Sequence, residues 1–339
     1  MDSFVKPFSA LTLYFLRSLD GSPHSPQTED HGMNLDTVIW RLRVLQTKLA
    51  GKLPALPWSH IPRMLQPFEK WNYSYFATPV PGECLPDMVL YETLIGRFYG
   101  RPHDRDLLGG VIVEEIGRIY QRPPVAVRPG DIVIDLGGHL GTFVRVALND
   151  GAKLVVAFEA DASNAECFRA TFREEITEGK VVLIEAPVWS ESCVVRFSGQ
   201  GLVGQVSDVG DPQQAVTIDE VIGELNIPRV DFIKTDIEGA ERHALKGASR
   251  VLSTYAPKLV VSSYHYPDDP AVLREIVLAY HPYHVEFDRG CKRMYCHGRA
   301  ASQTDPKSKE SAVAAYATKK AAASNSSGRF QARCTDERT

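Results

Sequence analysis

The 339-residue sequence has six cysteines and no C-x-x-C pair, no apolar run of about 18 residues, and a net charge of only -4. Cys84, Cys167, Cys193, Cys291, Cys296 and Cys334 are scattered, so they signal neither a zinc site nor a disulfide framework. Reduced thiols in a cytoplasmic protein are the expectation. No integral membrane segment is expected either. The one candidate leader runs from Phe8 to Leu16, but Ser9 and Thr12 interrupt it and Asp2 stands where positive charge belongs. The small net charge supplies no long-range pull toward polyanions, so nucleic acid is not an expected partner.

What is present divides the chain into four parts. Residues 1–34 read as a disordered arm, because the stretch from Asp20 to His31 mixes Ser, Pro, Gly and charge and has too little apolar surface to offset chain entropy. Residues 35–110 read as a mainly helical cap. It begins with Leu35, Val38, Ile39, Leu42, Leu45 and Leu49 at helical spacing, with Asn34 as N-cap, and ends in a second apolar stretch from Met88 to Tyr99. Residues 111–299 read as an α/β domain. From Gly130 onward short apolar runs alternate with helical patterns, the mark of a mostly parallel sheet with flanking helices. Strands are predicted at Ile132 to Leu136, Leu154 to Phe158, Val181 to Ile184, Val230 to Thr235 and Leu259 to Ser263. A β-rich insertion is predicted around Cys193 to Phe197, and an antiparallel pair at His284 to Phe287 and Lys292 to Cys296. Residues 300–339 hold few large apolar side chains and read as a disordered tail.

The most informative stretch runs from Asp131 to Gly141, a buried strand that ends in Asp135 and a turn containing Gly137, Gly138 and Gly141. Twenty-four residues after Asp135 a second strand ends in Glu159. Glycines let backbone approach a ligand closely, and a carboxylate at the tip of the next strand can accept both hydrogen bonds of a ribose diol. The ligand expected is a nucleoside derivative. The spacing is not the G-x-G-x-x-G that sets amides against a pyrophosphate. S-adenosylmethionine has no phosphate and carries an ammonium for which Asp135 is a suitable partner, so it fits better than a nicotinamide dinucleotide. His139 either contacts the cofactor carboxylate or fills the turn. Ser163 to Glu166 looks like a capping box for the next helix.

A second block, from Val230 through Asp236, Glu238, Gly239 and Glu241 to Gly247 and Ala248, stands in the right order and separation from the first. Together the two blocks resemble the FkbM family of methyltransferases, with Phe158-Glu159, Thr217-Ile-Asp219 and Ser262 to Pro267 as further echoes. The resemblance covers about Ile112 to Arg299. It implies a seven-stranded, Rossmann-like class I methyltransferase sheet with S-adenosylmethionine over the carboxyl ends of the strands and O-methyl transfer as the usual activity. By position it implies that Asp135, Gly137 and Gly141 hold the methionine end, that Gly138 lets the cofactor approach and that Glu159 holds the ribose. Glu185 would stand on the adenine side. The chain departs from the family at His139, where Asn is commoner, at Ala160, where Pro is usual, and after the fifth strand, where many members have Glu two residues before a histidine and this chain shows Ser-x-Tyr-His from Ser262 to His265.

On the other side of the expected cleft, Lys234 and Asp236 are two apart at a strand end and so point to one face, with Glu238 in the following turn. A hydroxyl acceptor must lose its proton as it attacks, and His265 is read as the general base with Asp236 positioning the acceptor or the base. The structural alternatives are that Asp236 caps the helix beginning near Glu238, that Glu238 and Glu241 complement its dipole, and that His265 is a hydrogen-bonded histidine beside a turn. Ligand types at Asp236, Glu238 and His265 would allow a divalent metal, but no metal is expected from spacing alone. The acceptor class expected is a sugar, glycolipid or secondary metabolite. A nicotinamide-dependent oxidoreductase and a non-catalytic nucleotide-binding module are the competing readings.

Overall fold

The computed structural model describes Leu45, Lys48, Leu49 and residues 73–198, 205–206 and 210–298. The chain divides into two compact units, Met1–Asn72 and Tyr73–Thr339. Of the helix expected from Leu35 to Leu49, only Leu45, Lys48 and Leu49 are described, and they are helical. The expected N-terminal arm and C-terminal tail lie outside the described residues.

The second unit opens with a 3-10 turn at Tyr73–Phe76 and three strands, β1 (Ala77–Leu85), β2 (Met88–Thr93) and β3 (Arg97–Gly100). They form an antiparallel meander. This differs from the helical reading of the region, because the apolar stretch from Met88 to Tyr99 turns back on itself. Thr93 Oγ1 donates to Gly96 O at 2.6 Å and closes the hairpin there. Helix α1 (Arg105–Ile116) follows and crosses the expected domain boundary at residue 110.

The main sheet has seven strands: β4 (Ile132–Leu136), β5 (Leu154–Phe158), β6 (Val181–Ile184), β10 (Phe232–Thr235), β11 (Lys258–Ser262), β12 (Tyr283–Phe287) and β13 (Arg293–Gly298). Their order across the sheet is β12-β13-β11-β10-β4-β5-β6. β4, β5, β6, β10 and β11 are parallel, whereas β13 runs antiparallel to both β11 and β12. The strands predicted at Ile132 to Leu136, Leu154 to Phe158 and Val181 to Ile184 have the observed bounds, and the other main-sheet strands shift by one or two residues at an end. Every residue of β4 is buried, as a parallel strand covered on both faces requires.

One face of the sheet packs Ile134, Leu136, Val156, Phe158, Ile233 and Val261 against helices α5 (Ile218–Glu224), α6 (Glu241–Lys246), α7 (Ser249–Tyr255) and α8 (Asp269–Tyr280). The alternate positions of β4 and β10, including Asp135 and Lys234, point to the opposite face. There Phe143 of α2 (Thr142–Asn149) stacks on Phe232 with ring centroids 5.9 Å apart. Helices α3 (Ala162–Thr171) and α4 (Arg173–Thr177) lie between β5 and β6. The insertion after β6 is a three-stranded sheet of β7 (Val194–Ser198), β8 (Gln205–Val206) and β9 (Asp211–Gln214). Its inner side, with Trp189, Cys193 and Val195, packs with Ala240 and Ile237. Cys193 is disulfide-bonded, which departs from the expectation of reduced thiols throughout.

Two local readings of the sequence are also corrected or confirmed by the caps. Asp161, not Ser163, caps α3, accepting from the amides of Ser163 and Asn164, while Ser163 Oγ accepts from Arg101 Nε. Thr217 opens α5 with a complete capping box through Glu220.

Candidate functional site

The strand order reverses between β4 and β10, whose neighbours on the outer sides are β5 and β11. Ligands in open α/β sheets sit outside the carboxyl ends of the strands at such a switch point. Asp135, Glu159, Asp236, Glu238 and His265 all lie at or just beyond those ends. The turns after β4 and β10 press together. Gly137 has φ +79°, and a Cβ there would stand 2.0 Å from Asp236 O. Gly141 has φ +86° and leads into α2, with no room for a Cβ against the Phe172 ring. These two glycines are required by the protein itself. Gly138 is not, since a Cβ there would meet Ala157 at an ordinary 3.5 Å.

On the β4 side, Asp135 is fully buried, and Lys234, its register partner on β10, places Nζ 3.0 Å from Asp135 Oδ1. Lys234 also donates to the carbonyls of Leu136 at 3.1 Å and Gly137 at 2.8 Å, tying the strand end to the glycine turn. Apart from the ion pair, neither Asp135 oxygen accepts a hydrogen bond among the described residues. Burial accordingly raises the Asp135 carboxyl above its ordinary value although Lys234 pulls it down. Burial works against the Lys234 charge, yet Asp135 and Asp236 hold that ammonium above its usual range.

His139 stands in the turn at φ +47°, with both ring nitrogens buried and without hydrogen-bond partners. Burial lowers its pKa to about 3, so the ring is neutral and offers one donor and one acceptor. Its backbone N–H donates to Glu159 Oε2 at 2.6 Å, and that of Asp161 donates to Glu159 Oε1 at 2.8 Å. The Asn164 side chain donates to Glu159 as well. Burial raises its carboxyl to about 7 against the pull of these amides. Glu185, at the end of β6, is exposed and ion-paired with Arg169.

On the β10 side the structure brings together more groups than the sequence reading named. Tyr120 donates to Asp236 Oδ2 at 2.6 Å and Tyr264 to Asp236 Oδ1 at 3.2 Å. The Tyr120 ring lies 5.3 Å from Lys234 Nζ and 5.4 Å from the Arg293 guanidinium carbon. Asp236 is no helix cap, because α6 begins at Glu241 and has Ala240 at its N-cap. Glu241 instead holds the turn, accepting from the amides of Ile237 at 2.8 Å and Gly239 at 3.0 Å. Glu238 is held at φ +53°, a conformation costly for a residue with a side chain.

His265 sits inside this ring of carboxylates with only 9% of its side chain exposed. Its Nδ1 is 3.3 Å from Glu241 Oε1, and its Nε2 is 3.5 Å from Glu238 Oε2 and 3.7 Å from Asp236 Oδ1. Burial disfavours the charged ring, but Glu241, Glu238 and Asp236 outweigh it and raise the pKa to about 11. An imidazolium has no lone pair with which to take a proton, and this differs from the base role expected of His265. Burial also works against the Asp236 carboxylate, yet His265, Lys234 and Tyr120 hold it below its ordinary value. Glu238, in contrast, is raised by burial and is the most exposed of the four, which suits it better to accept a proton.

A seven-stranded sheet with one reversed strand inserted beside the edge, and a glycine turn and strand-tip carboxylates at the switch point, define a Rossmann-like class I methyltransferase fold. Within it, residues 135–289 match the family model described as the methyltransferase FkbM domain, and the resemblance read from the two sequence blocks is borne out over that span.

Among solved structures, the chain is similar to methyltransferase FkbM from Methylobacillus flagellatus KT, at 20% identity over 58% of this chain and 56% of that one, with a TM-score of 0.41. It is also similar to precorrin-6y C5,15-methyltransferase from Geobacter metallireducens GS-15, at 15% identity over 51% and 80% of the two chains, TM-score 0.32. A third is ribosomal protein L11 methylase from Lactobacillus delbrueckii subsp. bulgaricus, at 12% identity over 50% and 71%, TM-score 0.31. Likenesses of this degree carry no residue roles across. No curated protein sequence matches the chain.

Proposed function

We propose that the chain is an S-adenosylmethionine-dependent methyltransferase that acts on a hydroxyl of a sugar, glycolipid or secondary metabolite. The observation that carries the donor half is a set of buried polar atoms with nothing to bond. Both His139 ring nitrogens and, apart from the Lys234 ion pair at 3.0 Å, both Asp135 oxygens lack hydrogen-bond partners among the described residues at the end of β4. Buried polar groups without partners are costly, and a ligand end that carries an ammonium and a carboxylate would satisfy both kinds. Glu159, a carboxylate just beyond the end of β5, suits a ribose diol. When bound, such a donor supplies an electrophilic methyl group on a sulfonium. Asp135 and His139 would hold its amino acid end, Glu159 its ribose, and Glu185 would border the adenine side.

The acceptor would enter on the β10 side, where Asp236 binds and orients it. The proton released from its hydroxyl would pass to Glu238. The identity of the acceptor follows from no motif, and the β7-β8-β9 insertion packed against Ile237 and Ala240 is the element placed to select it.

Calorimetric titration of the purified chain with S-adenosylhomocysteine tests the donor half. Micromolar binding that falls at least tenfold in Glu159→Ala is expected. No binding of either S-adenosylhomocysteine or S-adenosylmethionine, together with binding of NAD, would favour the oxidoreductase reading instead. Transfer of a labelled methyl group into metabolite extracts then tests catalysis and separates an enzyme from a binding module.

A further inference from the structure

The carboxylate ring around His265 holds more negative charge than its surroundings neutralise. Asp236, Glu238 and Glu241 face one imidazole. The nearest other cations, Lys234 and Arg293, act on Asp236 from a distance but make their ion pairs with Asp135 and, at 3.2 Å, with Asp288. One donor atom each from Asp236, Glu241 and His265 lie within 4.8 Å of one another. We propose that these three residues hold a divalent first-row transition ion beside the acceptor subsite.

His265 is about nine-tenths buried, and neither ring nitrogen has hydrogen-bond geometry to any described residue. Its Nδ1 stands 3.3 Å from Glu241 Oε1 and its Nε2 3.7 Å from Asp236 Oδ1, and an ion would be ligated through one of the two nitrogens. Two donors each about 2.1 Å from a shared ion lie roughly 3.0–3.4 Å apart, so the three donors, within 4.8 Å of one another, would draw together by about an ångström to close on one. Mixed imidazole and carboxylate donors suit manganese, iron or zinc better than calcium or magnesium.

The donors are also oriented in advance, as ligating groups are. Asp236 is fixed by the hydroxyls of Tyr120 and Tyr264, and Glu241 by the amides of Ile237 and Gly239. Glu238 Oε2, 3.5 Å from Nε2, stays at the cleft side of the cluster. An acceptor oxygen coordinated there would be made more acidic and fixed in place. The alternative occupant of this charge well is the proton on His265 itself, and the two are distinguishable.

The test uses the full chain without acceptor. Manganese(II) is titrated at pH 7.5 while the six-line resonance of the free ion is followed, and the proton release is measured by calorimetry in buffers of different ionisation enthalpy. One ion bound with a micromolar to tens-of-micromolar Kd is expected, with about one proton released as the imidazolium gives way. His265→Ala and Asp236→Asn should each weaken binding at least tenfold, with S-adenosylhomocysteine affinity serving as the control that the domain is folded. The proposal is overturned if wild-type protein that binds S-adenosylhomocysteine takes up no manganese or zinc at millimolar ion. It is equally overturned if the ion binds undiminished to both variants. Loss of S-adenosylhomocysteine binding by the wild type, with the ion still bound at this cluster, would sink the donor assignment and leave this one standing.

Discussion

Lys234 and Asp135 are register partners on adjacent parallel strands, with Nζ 3.0 Å from Oδ1 and both side chains shut away from solvent. The pair joins the β4 side of the cleft to the β10 side. Removing one partner of a buried pair leaves an uncompensated charge, at a cost of about 3–5 kcal/mol. Lys234→Met should therefore lower the stability measured by urea unfolding by about 3–5 kcal/mol and abolish S-adenosylhomocysteine binding, because Asp135 then takes up a proton. The double variant Lys234→Met with Asp135→Asn should regain part of the stability but not the binding. A single variant as stable as the wild type would show that the pair is not needed to keep Asp135 charged.

Glu159 gives a pH dependence whose sign follows from its environment. Burial raises its folded-state pKa to about 7 from an ordinary 4.5. The folded protein thus retains a proton that the unfolded chain has already released, and stability from this group is fully present below about 4.5 and lost as pH rises through about 7. Donor affinity should move the other way, since only the carboxylate can accept both diol hydrogens. The difference in melting temperature between wild type and Glu159→Gln should shift against the wild type between pH 5 and pH 7.5, at about 1.4 kcal/mol per unit of pKa shift at most. A flat difference across that window would place the carboxyl in water rather than in the core.

Much of the fold was legible because it depends on local pattern. The short apolar runs of β4, β5 and β6, interrupted only by Asp135, are what strands of a parallel sheet look like, and their bounds were readable to the residue. The meander of β1, β2 and β3 was not, because a hairpin inside one apolar stretch has no turn signal stronger than Gly96. The places of Asp135, Glu159 and the turn of Gly137, Gly138 and Gly141 were readable for the same local reason, being strand ends and a glycine turn. The acceptor side was only half readable. Tyr120 reaches Asp236 across 116 positions of sequence, a contact no spacing rule reports. Lys234 carried a signal that could have been used: a lysine in an otherwise apolar strand demands a buried partner, and parallel pairing of β10 with β4 supplies Asp135. The position of His265 after β11 was readable, but its charge depends on three carboxylates that converge only in the fold.

Gly137 and Gly138 should separate backbone need from ligand need. Alanine at position 137 must adopt φ +79° and approach Asp236 O at 2.0 Å, so Gly137→Ala should cost more than about 2 kcal/mol and displace the turn after β10. Gly138→Ala meets only ordinary contacts and should change stability by less than about 1 kcal/mol. A drop in S-adenosylhomocysteine affinity with unchanged melting in Gly138→Ala would then report direct approach of the donor to that turn. Equal destabilisation by the two substitutions would contradict the different surroundings of the two residues.

Tyr120 lies upstream of the matched span 135–289, yet its hydroxyl is the closest donor to Asp236. Burial and the neighbouring Asp236 charge keep that hydroxyl protonated well beyond the ordinary tyrosine range, so it acts as a permanent donor. Tyr120→Phe keeps the ring between Lys234 and Arg293 and removes only the bond to a carboxylate, worth about 1.5–3 kcal/mol. Urea unfolding should show a loss of that order, while S-adenosylhomocysteine affinity stays within about twofold because Asp135, His139 and Glu159 are untouched. Asp236, deprived of one of the groups that hold its pKa down, should then titrate at higher pH, and any methyl-transfer activity should shift its acidic limb upward. Full activity with an unmoved acidic limb would mean that Asp236 does not depend on Tyr120 and takes no charged part in the reaction.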